Sequence, residues 1–451
     1  MESNAGDAGM DAGMDGLHGN RGMFRVRRME TTLVRPAAET YRGLYFLSNL
    51  DQNMAYMVEL VFCFKGNGGK RRDNVSEVIK QALAKVLVHY YPLAGSLTLS
   101  SDGKLIVNCT GEGVPFAEAI SDYEIEVLGD VTVLNEPSKL RNLVLSFDSA
   151  TNVTELPLLT VQVTSFKCGG FVLGIGMNHC MTDLPTLMEF IHSWAEIARG
   201  LPLTILPSLD RSILRSRQPA KIEFAHHEFE KNEKVFNIQE EQLLYRSFSF
   251  NPGKMTLLKT KALEDGVINK CTNFTVLSAF LWRARTRALK MDPNQQTKLL
   301  IAVDVRSKLN PPLPKGYFFS GITFTCCLCT AGELTTKPLS FAVKLVQEAI
   351  ELATEDYIRS AIDYFEITRG RTSIENTFMV SKWTGLPFYN ADFSWGDPIK
   401  VGPATIKHNW AVFVPDGKES KNTIVSLCLP VSAMKIFQEM MQFNFILKSS
   451  I

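Results

Sequence analysis

The stretch Gly176-Met177-Asn178-His179-Cys180-Met181-Thr182-Asp183 holds the clearest chemistry in the chain. An apolar run that reads as a strand ends at His179, and four residues later Asp183 stands where a helix begins. A neutral imidazole at the end of a strand suits proton abstraction from a hydroxyl or amine near neutral pH. Asp183 has two readings at this stage, a partner in acid–base work or a plain helix N-cap. The spacing alone is common among proteins, so its surroundings have to decide.

Those surroundings are a mixture of strands and helices. Strands are expected at Thr31–Val34, Ala55–Phe64, Lys104–Cys109, Leu158–Phe166 and Phe171–Met177. The last two form a hairpin around Cys168-Gly169-Gly170 that delivers His179. Helical spacing of Val75, Ile79, Leu83 and Val86 follows Asn74, whose side chain would close a capping box with Glu77, and Pro92 ends that helix. A second helix runs from about Leu184 to Arg199 and stops at Gly200. Residues of about 201–240 are Pro-rich and then charged, as befits a crossover between halves, with His226 and His227 expected at its surface. Beyond it, helices are expected over Phe274–Lys290, within Leu339–Ile367 and over Val431–Phe443. Strands are expected at Thr297–Asp304, Trp410–Val414 and Thr423–Leu429.

Strands and helices intermix in both halves without strict alternation. An α+β architecture of two domains with mixed sheets therefore fits better than a Rossmann fold or a barrel. The expected division is a disordered tail at 1–28, a first domain at 29–215, a crossover at 216–240 and a second domain at 241–451. A length of 451 residues agrees with two cores.

Bulk properties exclude several functions. The net charge is +1, which argues against nucleic acid as a partner. No apolar run approaches 18 residues, so no membrane span is expected. The first residues, rich in Gly, Asp and Met, lack the apolar stretch of a signal peptide, and a cytoplasmic location follows. Nine cysteines sit mostly in strand-like runs, as reduced buried thiols would. Cys326 and Cys329 make a C-x-x-C inside such a run, with no second pair at zinc spacing, so no metal is expected. Phosphate loops, nucleophile elbows and zincin motifs are missing from the sequence.

Four separated segments then share a family's wording and order: Tyr91-Pro92-Leu93-Ala94-Gly95, His179 to Asp183, Val303-Asp304-Val305-Arg306-Ser307-Lys308, and Asp392-Phe393-Ser394-Trp395-Gly396. In these the chain resembles the plant BAHD acyltransferases, from about Thr31 onward. Tyr45 to Asn53, Leu209 to Leu214, Lys221 to Phe224 and Ser360 to Glu366 are most similar to members that move hydroxycinnamoyl groups to ω-hydroxy fatty acids and fatty alcohols.

The resemblance implies two domains like chloramphenicol acetyltransferase with a channel between them. It implies acyl-CoA as co-substrate, an alcohol or amine as acceptor, no permanently bound cofactor and a monomer. His179 would be the general base, with no acyl-enzyme formed. Asp183 would turn from the channel to pair with Arg306. Ser381 and Trp383 fall where an oxyanion or hydroxyl donor and a pocket aromatic are placed. Asp392 belongs to a motif often counted as catalytic, although a turn rich in anchoring aromatics is expected to brace the fold. A feruloyl donor with a long-chain ω-hydroxy acid or fatty alcohol acceptor is the leading expectation. Shikimate, quinate or a polyamine is the alternative acceptor, and a non-catalytic role in fatty-acid elongation is a third reading. Three positions depart from the family's pattern: Val305 for glycine, Phe319-Ser320 for Gly-Asn, and Ser394 for glycine. Phe319 is expected to add bulk near the channel, and Ser394 to be strained if its φ is positive.

Overall fold

A computed structural model describes residues 24–66, 75–134, 137–148, 150–231, 241–373 and 377–442. The elements of the first half are β1 (Arg27–Arg28), β2 (Thr32–Val34), β3 (Gly43–Phe46), β4 (Met57–Phe64), α1 (Val75–His89), β5 (Ser96–Leu99), β6 (Leu105–Cys109), β7 (Val114–Ser121), α2 (Pro137–Arg141), β8 (Leu159–Phe166), β9 (Phe171–Asn178) and α3 (Leu184–Ala198). The second half contributes β10 (Leu243–Phe250), α4 (Pro252–Leu263), α5 (Asn273–Ala288), β11 (Gln296–Asp304), β12 (Ile322–Thr330), α6 (Ala331–Thr336), α7 (Leu339–Leu352), α8 (Glu355–Thr368), β13 (Phe378–Lys382), β14 (Lys400–Pro403), β15 (Trp410–Pro415), β16 (Thr423–Pro430) and α9 (Val431–Met441).

The first large sheet runs β1-β7-β8-β9-β4-β14, with β2 also on β7. Within it β7 and β8 are parallel and the other pairs antiparallel. A small antiparallel sheet, β3-β6-β5, lies beside it. The second large sheet runs β10-β16-β15-β13-β11-β12 and is also mixed, with β13 parallel to both neighbours. Helices cover these sheets, and the side chains form two main cores. Two mixed-sheet domains are thus present, as the interleaved patterns required.

Strand β9 is buried along its whole length, which is why it reads as one apolar run rather than an alternation. A side chain at Gly174 would meet the Leu143 carbonyl at 1.9 Å, so only glycine fits there. The strand leads straight to the functional loop, and the next helix packs the Leu187, Phe190, Ile191 and Trp194 face of α3 into the first core.

Several expectations are corrected by packing. Residues 24–28, assigned to the tail by the expected division, belong to the folded part. Phe24 is buried against Tyr123 and Phe166, and Arg27–Arg28 pair with β7. Residues 400–403, placed in the second domain by the expected division, pair with β4 of the first sheet. Trp383, Phe388, Phe393, Trp395 and Val401 pack in the first core as well. The second half therefore reaches back and completes the first half's sheet. The helical stretch 339–367 is two helices, broken where Thr354 caps α8. The structure adds β7 and β10, whose Pro115 and weakly alternating pattern hid them. Asn74 and the residues before Phe24 lie outside the described residues.

The crossover is fastened rather than loose. Asp363 of α8 accepts from the backbone N–H and Nε of Arg217 and from the N–H of Lys221. His226, expected at the surface, is buried. Its ring bonds Glu228 at 2.7 Å and Ser360 at 2.8 Å, and Glu228 also accepts from the Tyr357 hydroxyl. A charged composition concealed this site because the partners belong to a helix far along the chain. Cys326 and Cys329 sit three residues apart on β12, so one faces the second core and the other does not. They cannot converge on one ion.

Ser394 adopts φ 84°, a conformation that penalises a side chain. Ser394→Gly is expected to raise stability by roughly 1 kcal/mol, net of glycine's extra chain entropy. A melting temperature at or below that of the parent protein would contradict this.

Candidate active site

Local geometry at the end of β9 turns His179 out of the sheet. The His179 N–H still donates to the Tyr56 carbonyl at 2.8 Å, prolonging the β4–β9 ladder by one bond. A turn follows, closed by the Met181 N–H on the Asn178 carbonyl. Asp183 then caps α3, its Oδ1 accepting from the Thr186 N–H at 3.1 Å.

The Asp183 carboxylate does more than cap. Arg306 Nη2 donates to both of its oxygens, at 2.8 and 2.7 Å, and the Gly321 N–H donates to Oδ2 at 2.8 Å. The same Nη2 reaches the Thr186 hydroxyl at 2.6 Å. Asp304 holds the guanidinium from the other side at 3.2 Å. A Cβ at residue 321 would lie 2.8 Å from the guanidinium carbon, so the backbone approaches this closely because residue 321 is glycine. Burial pulls the Arg306 pKa down, but Asp183 and Asp304 outweigh it and the net shift is upward. Both readings of Asp183 are therefore realised, cap and ion pair, and its carboxylate is engaged by these donors although the residue lines the cavity described next.

His179 lines a cavity of about 430 Å³ between the two domains. Its Nδ1 is buried without a hydrogen-bond partner. Burial pulls the imidazole below its ordinary 6.5. Its own backbone and Asp183 offset part of that fall, and Lys407 adds to it. The imidazole is therefore neutral at neutral pH.

The opposite wall comes from the second sheet by strand alternation. Leu299, Ile301 and Val303 of β11 face the second core, and Ala302 and Asp304 face the cavity. Ile322 and Phe324 of β12 and Met379 and Ser381 of β13 face it too. Ser381 accepts from the Trp383 indole N–H at 3.0 Å, and both residues line the cavity. That bond uses the serine's acceptor side and leaves its hydroxyl hydrogen available.

The other expected residues fall elsewhere. Asp392 does not line the cavity. Its Oδ1 accepts from the N–H groups of Ser394 and Gly396, and Arg199 lies 3.8 Å from its Oδ2. Phe393 packs on Phe64 and Trp194, and Trp395 on Phe171. Asp392 shapes a turn that anchors aromatics and is not among the residues lining the cavity, the bracing place expected for it. Phe319 is fully buried against Tyr45, Phe318 and the Arg211 guanidinium, so its bulk enters the core rather than the channel. Val305 is buried in the first core. Thr186, Gly321, Tyr56, Trp410 and Lys407 escaped notice in the sequence, because nothing local links them to the histidine.

A groove of about 1000 Å³ adjoins the cavity and shares Lys382, Thr384, Gly385 and Leu386 with it. Lys270, Lys418, Lys421 and the start of α5 also line this groove.

A model described as the transferase family matches residues 24–444. The chain belongs to this family, the BAHD acyltransferases. It is 50% identical over 440 residues to an omega-hydroxypalmitate O-feruloyl transferase of Arabidopsis thaliana, covering 96% of each chain. It is 48% identical over 422 residues to a fatty alcohol:caffeoyl-CoA acyltransferase of Arabidopsis thaliana, covering 92% of this chain and 98% of the relative. The fold matches that of F. graminearum TRI101 complexed with coenzyme A and deoxynivalenol, with TM-score 0.70 and 16% identity, covering 87% of this chain and 96% of that one. As a BAHD member the protein is an acyltransferase.

Replacing Arg306 by methionine strands the Asp183 carboxylate, whose side chain is 2% exposed. Arg306→Met is expected to cost about 3–5 kcal/mol of stability and to lower kcat with it. Urea denaturation and turnover measured on the same variant test this, and unchanged stability with lost turnover would make Arg306 a direct participant in the chemistry.

Proposed function

We propose that this acyltransferase moves a hydroxycinnamoyl group, feruloyl being the leading candidate, from coenzyme A to the terminal hydroxyl of a long-chain ω-hydroxy fatty acid or fatty alcohol. One observation carries the acceptor class. Met54, Val58, Met177, Leu187, Ile322, Phe324 and Met379 wall the cavity beside His179, and among the described residues no arginine lines it. A shikimate or quinate carboxylate would call for an arginine there. A polyamine would call for free carboxylates, yet Asp183 and Asp304 are both paired with Arg306. Neither a carboxylated ring nor a polycation is served, whereas an alkyl chain is. The two Arabidopsis relatives named above agree with this reading.

The residues divide the reaction as follows. The acceptor hydroxyl meets His179 Nε2, which takes its proton as the oxygen bonds to the thioester carbon. The Ser381 hydroxyl donates to the oxyanion that develops. The tetrahedral species collapses, the carbon–sulfur bond breaks, and the imidazolium returns the proton to the departing thiolate. No acyl-enzyme is needed, and nothing remains bound between turnovers. Arg306 and Asp183 hold the loop that aims the imidazole. All nine cysteines are free, which fits a reducing cytosol. No described helix is long and apolar enough to cross a membrane.

The adjoining groove is the proposed seat of coenzyme A. Lys270, Lys382 and Lys421 line it without an ion-pair partner among the described residues, while Lys418 pairs with Asp397 at 2.7 Å. Ammonium groups around a helix start suit phosphates. Because the groove meets the cavity at Lys382–Leu386, a pantetheine arm entering there points its thioester at His179.

Three measurements test the proposal. His179→Ala is expected to lose about 10²–10⁴-fold in kcat while staying folded, and full turnover in that variant would remove the base. A matrix of acyl-CoA donors against long-chain ω-hydroxy acids, fatty alcohols, shikimate, quinate and spermidine, read by thiol release, should show turnover on the long-chain acceptors. Preferred use of shikimate or spermidine would overturn the acceptor class. Lys382→Ala and Lys421→Ala should each raise KM for acyl-CoA several-fold with KM for the acceptor unchanged, and an unchanged donor KM would displace coenzyme A from the groove.

A further inference from the structure

The side of His179 that faces away from Asp183 is built from two segments remote in sequence. Tyr56, just before β4, accepts the His179 N–H and sets its ring 5.4 Å from the imidazole. Trp410, at the start of β15, meets the Tyr56 ring edge-on at 5.4 Å. Lys407 lies in the turn before it, its carbonyl accepting from the Trp410 N–H at 3.0 Å. The Lys407 ammonium rests 3.7 Å from the Tyr56 ring centroid and 5.8 Å from that of Trp410. This is a cation–π seat, and it places a positive charge one aromatic ring away from the imidazole.

The charge is not cancelled. No carboxylate of the described residues lies within ion-pair reach of Lys407, and burial alone accounts for the fall in its pKa to about 8. The Tyr56 hydroxyl and the Trp410 indole N–H are buried without acceptors, so neither brings negative charge to this wall. His408, the next residue, is drawn down by burial, by Arg285 and by Lys407. On the other side of the base stands Asp183, engaged by Arg306 and the Gly321 N–H, with Asp304 beyond it on the same guanidinium. Asp183 favours a protonated His179, and Lys407 opposes it.

We propose that Lys407 is a positioning residue for the reaction: its ammonium, seated on Tyr56, holds His179 in the neutral form that accepts the acceptor's proton. The inference rests on the reading of His179 as base. An imidazolium beside the ammonium is disfavoured by like charge, and the half-burial of both side chains limits screening of the pair. The sign is fixed by the pKa order. Lys407 stays charged below about 8, so it is charged throughout the range under 6.5 in which His179 titrates. Removing the charge must raise the pKa of His179 and thus cost activity on the acid side.

The test compares Lys407→Met, which keeps an unbranched stem over Tyr56, with Lys407→Arg, which keeps the charge. Two quantities are read: the acid limb of kcat/KM against pH, and the His179 imidazole titration by NMR in the substrate-free enzyme. In Lys407→Met both are expected to move up by roughly half a pH unit, and in Lys407→Arg both stay near those of the parent. Should Lys407→Met fold poorly, Lys407→Gln serves in its place. A folded neutral variant with an unmoved limb and an unmoved titration overturns the proposal, and a purely structural lysine would lower the melting temperature and kcat without shifting either curve. Retained turnover in His179→Ala would instead overturn the base, and the NMR titration would still decide whether Lys407 governs this imidazole.

Discussion

The ion pair between Asp183 and Arg306 is the contact on which the site depends. It joins the N-cap of α3 to the segment after β11, and so one half of the chain to the other. Removing a carboxylate from water costs several kcal/mol unless geometry repays it. Here the repayment is dense: two bonds from one guanidinium nitrogen, one from the Gly321 N–H and one from the Thr186 N–H all reach the carboxylate. Every one of these donors belongs to the segments that flank His179 or face it across the cavity. The histidine is aimed by a structure that would be poorly satisfied in any other arrangement.

The two domains are knit by more than this pair. Strand β14 crosses from the second half to pair with β4, and the turn around Asp392 carries Phe393 and Trp395 into the first core. Asp363 and Ser360 of α8 hold the crossover in place. These contacts leave a gap between the sheets rather than filling it. Met54, Leu300, Phe324, Met379 and Trp410 form a small apolar cluster apart from both main cores. The cavity lies against this cluster, which is why much of its wall is apolar, with His179, Ser381 and the end of β11 among its polar groups.

Electrostatics around the base are balanced rather than one-sided. A paired carboxylate stands on one flank and an unpaired ammonium on the other, with burial acting on the ring itself. Burial and Lys407 favour the neutral imidazole, and Asp183 favours its protonation. Ser394 shows a different economy. Its positive φ is tolerated because Asp392 accepts from its N–H and from that of Gly396, so the turn is held despite its side chain.

Much of this was legible in the sequence, where local chemistry leaves local marks. The run Phe171–Met177, the aspartate cap and the glycine after Arg199 mark strand, loop and helix because periodicity and capping act over a few residues. His179, Asp183 and Arg306 stood out through motifs whose order and separation are distinctive. Tertiary structure alone decided what those residues meet. The Asp392 oxygen is spent on a turn away from the cavity, and Phe319 lies in the core with its ring against Arg211. His226 was buried because Glu228, Ser360 and Tyr357 surround it, and a charged composition does not reveal a buried network. Tyr56, Lys407 and Trp410 came together beside the base only when β4 and β15 were placed, since segments from the two halves share no sequence pattern. Residue type determined what chemistry was available; the pairing of distant strands determined which atoms could take part.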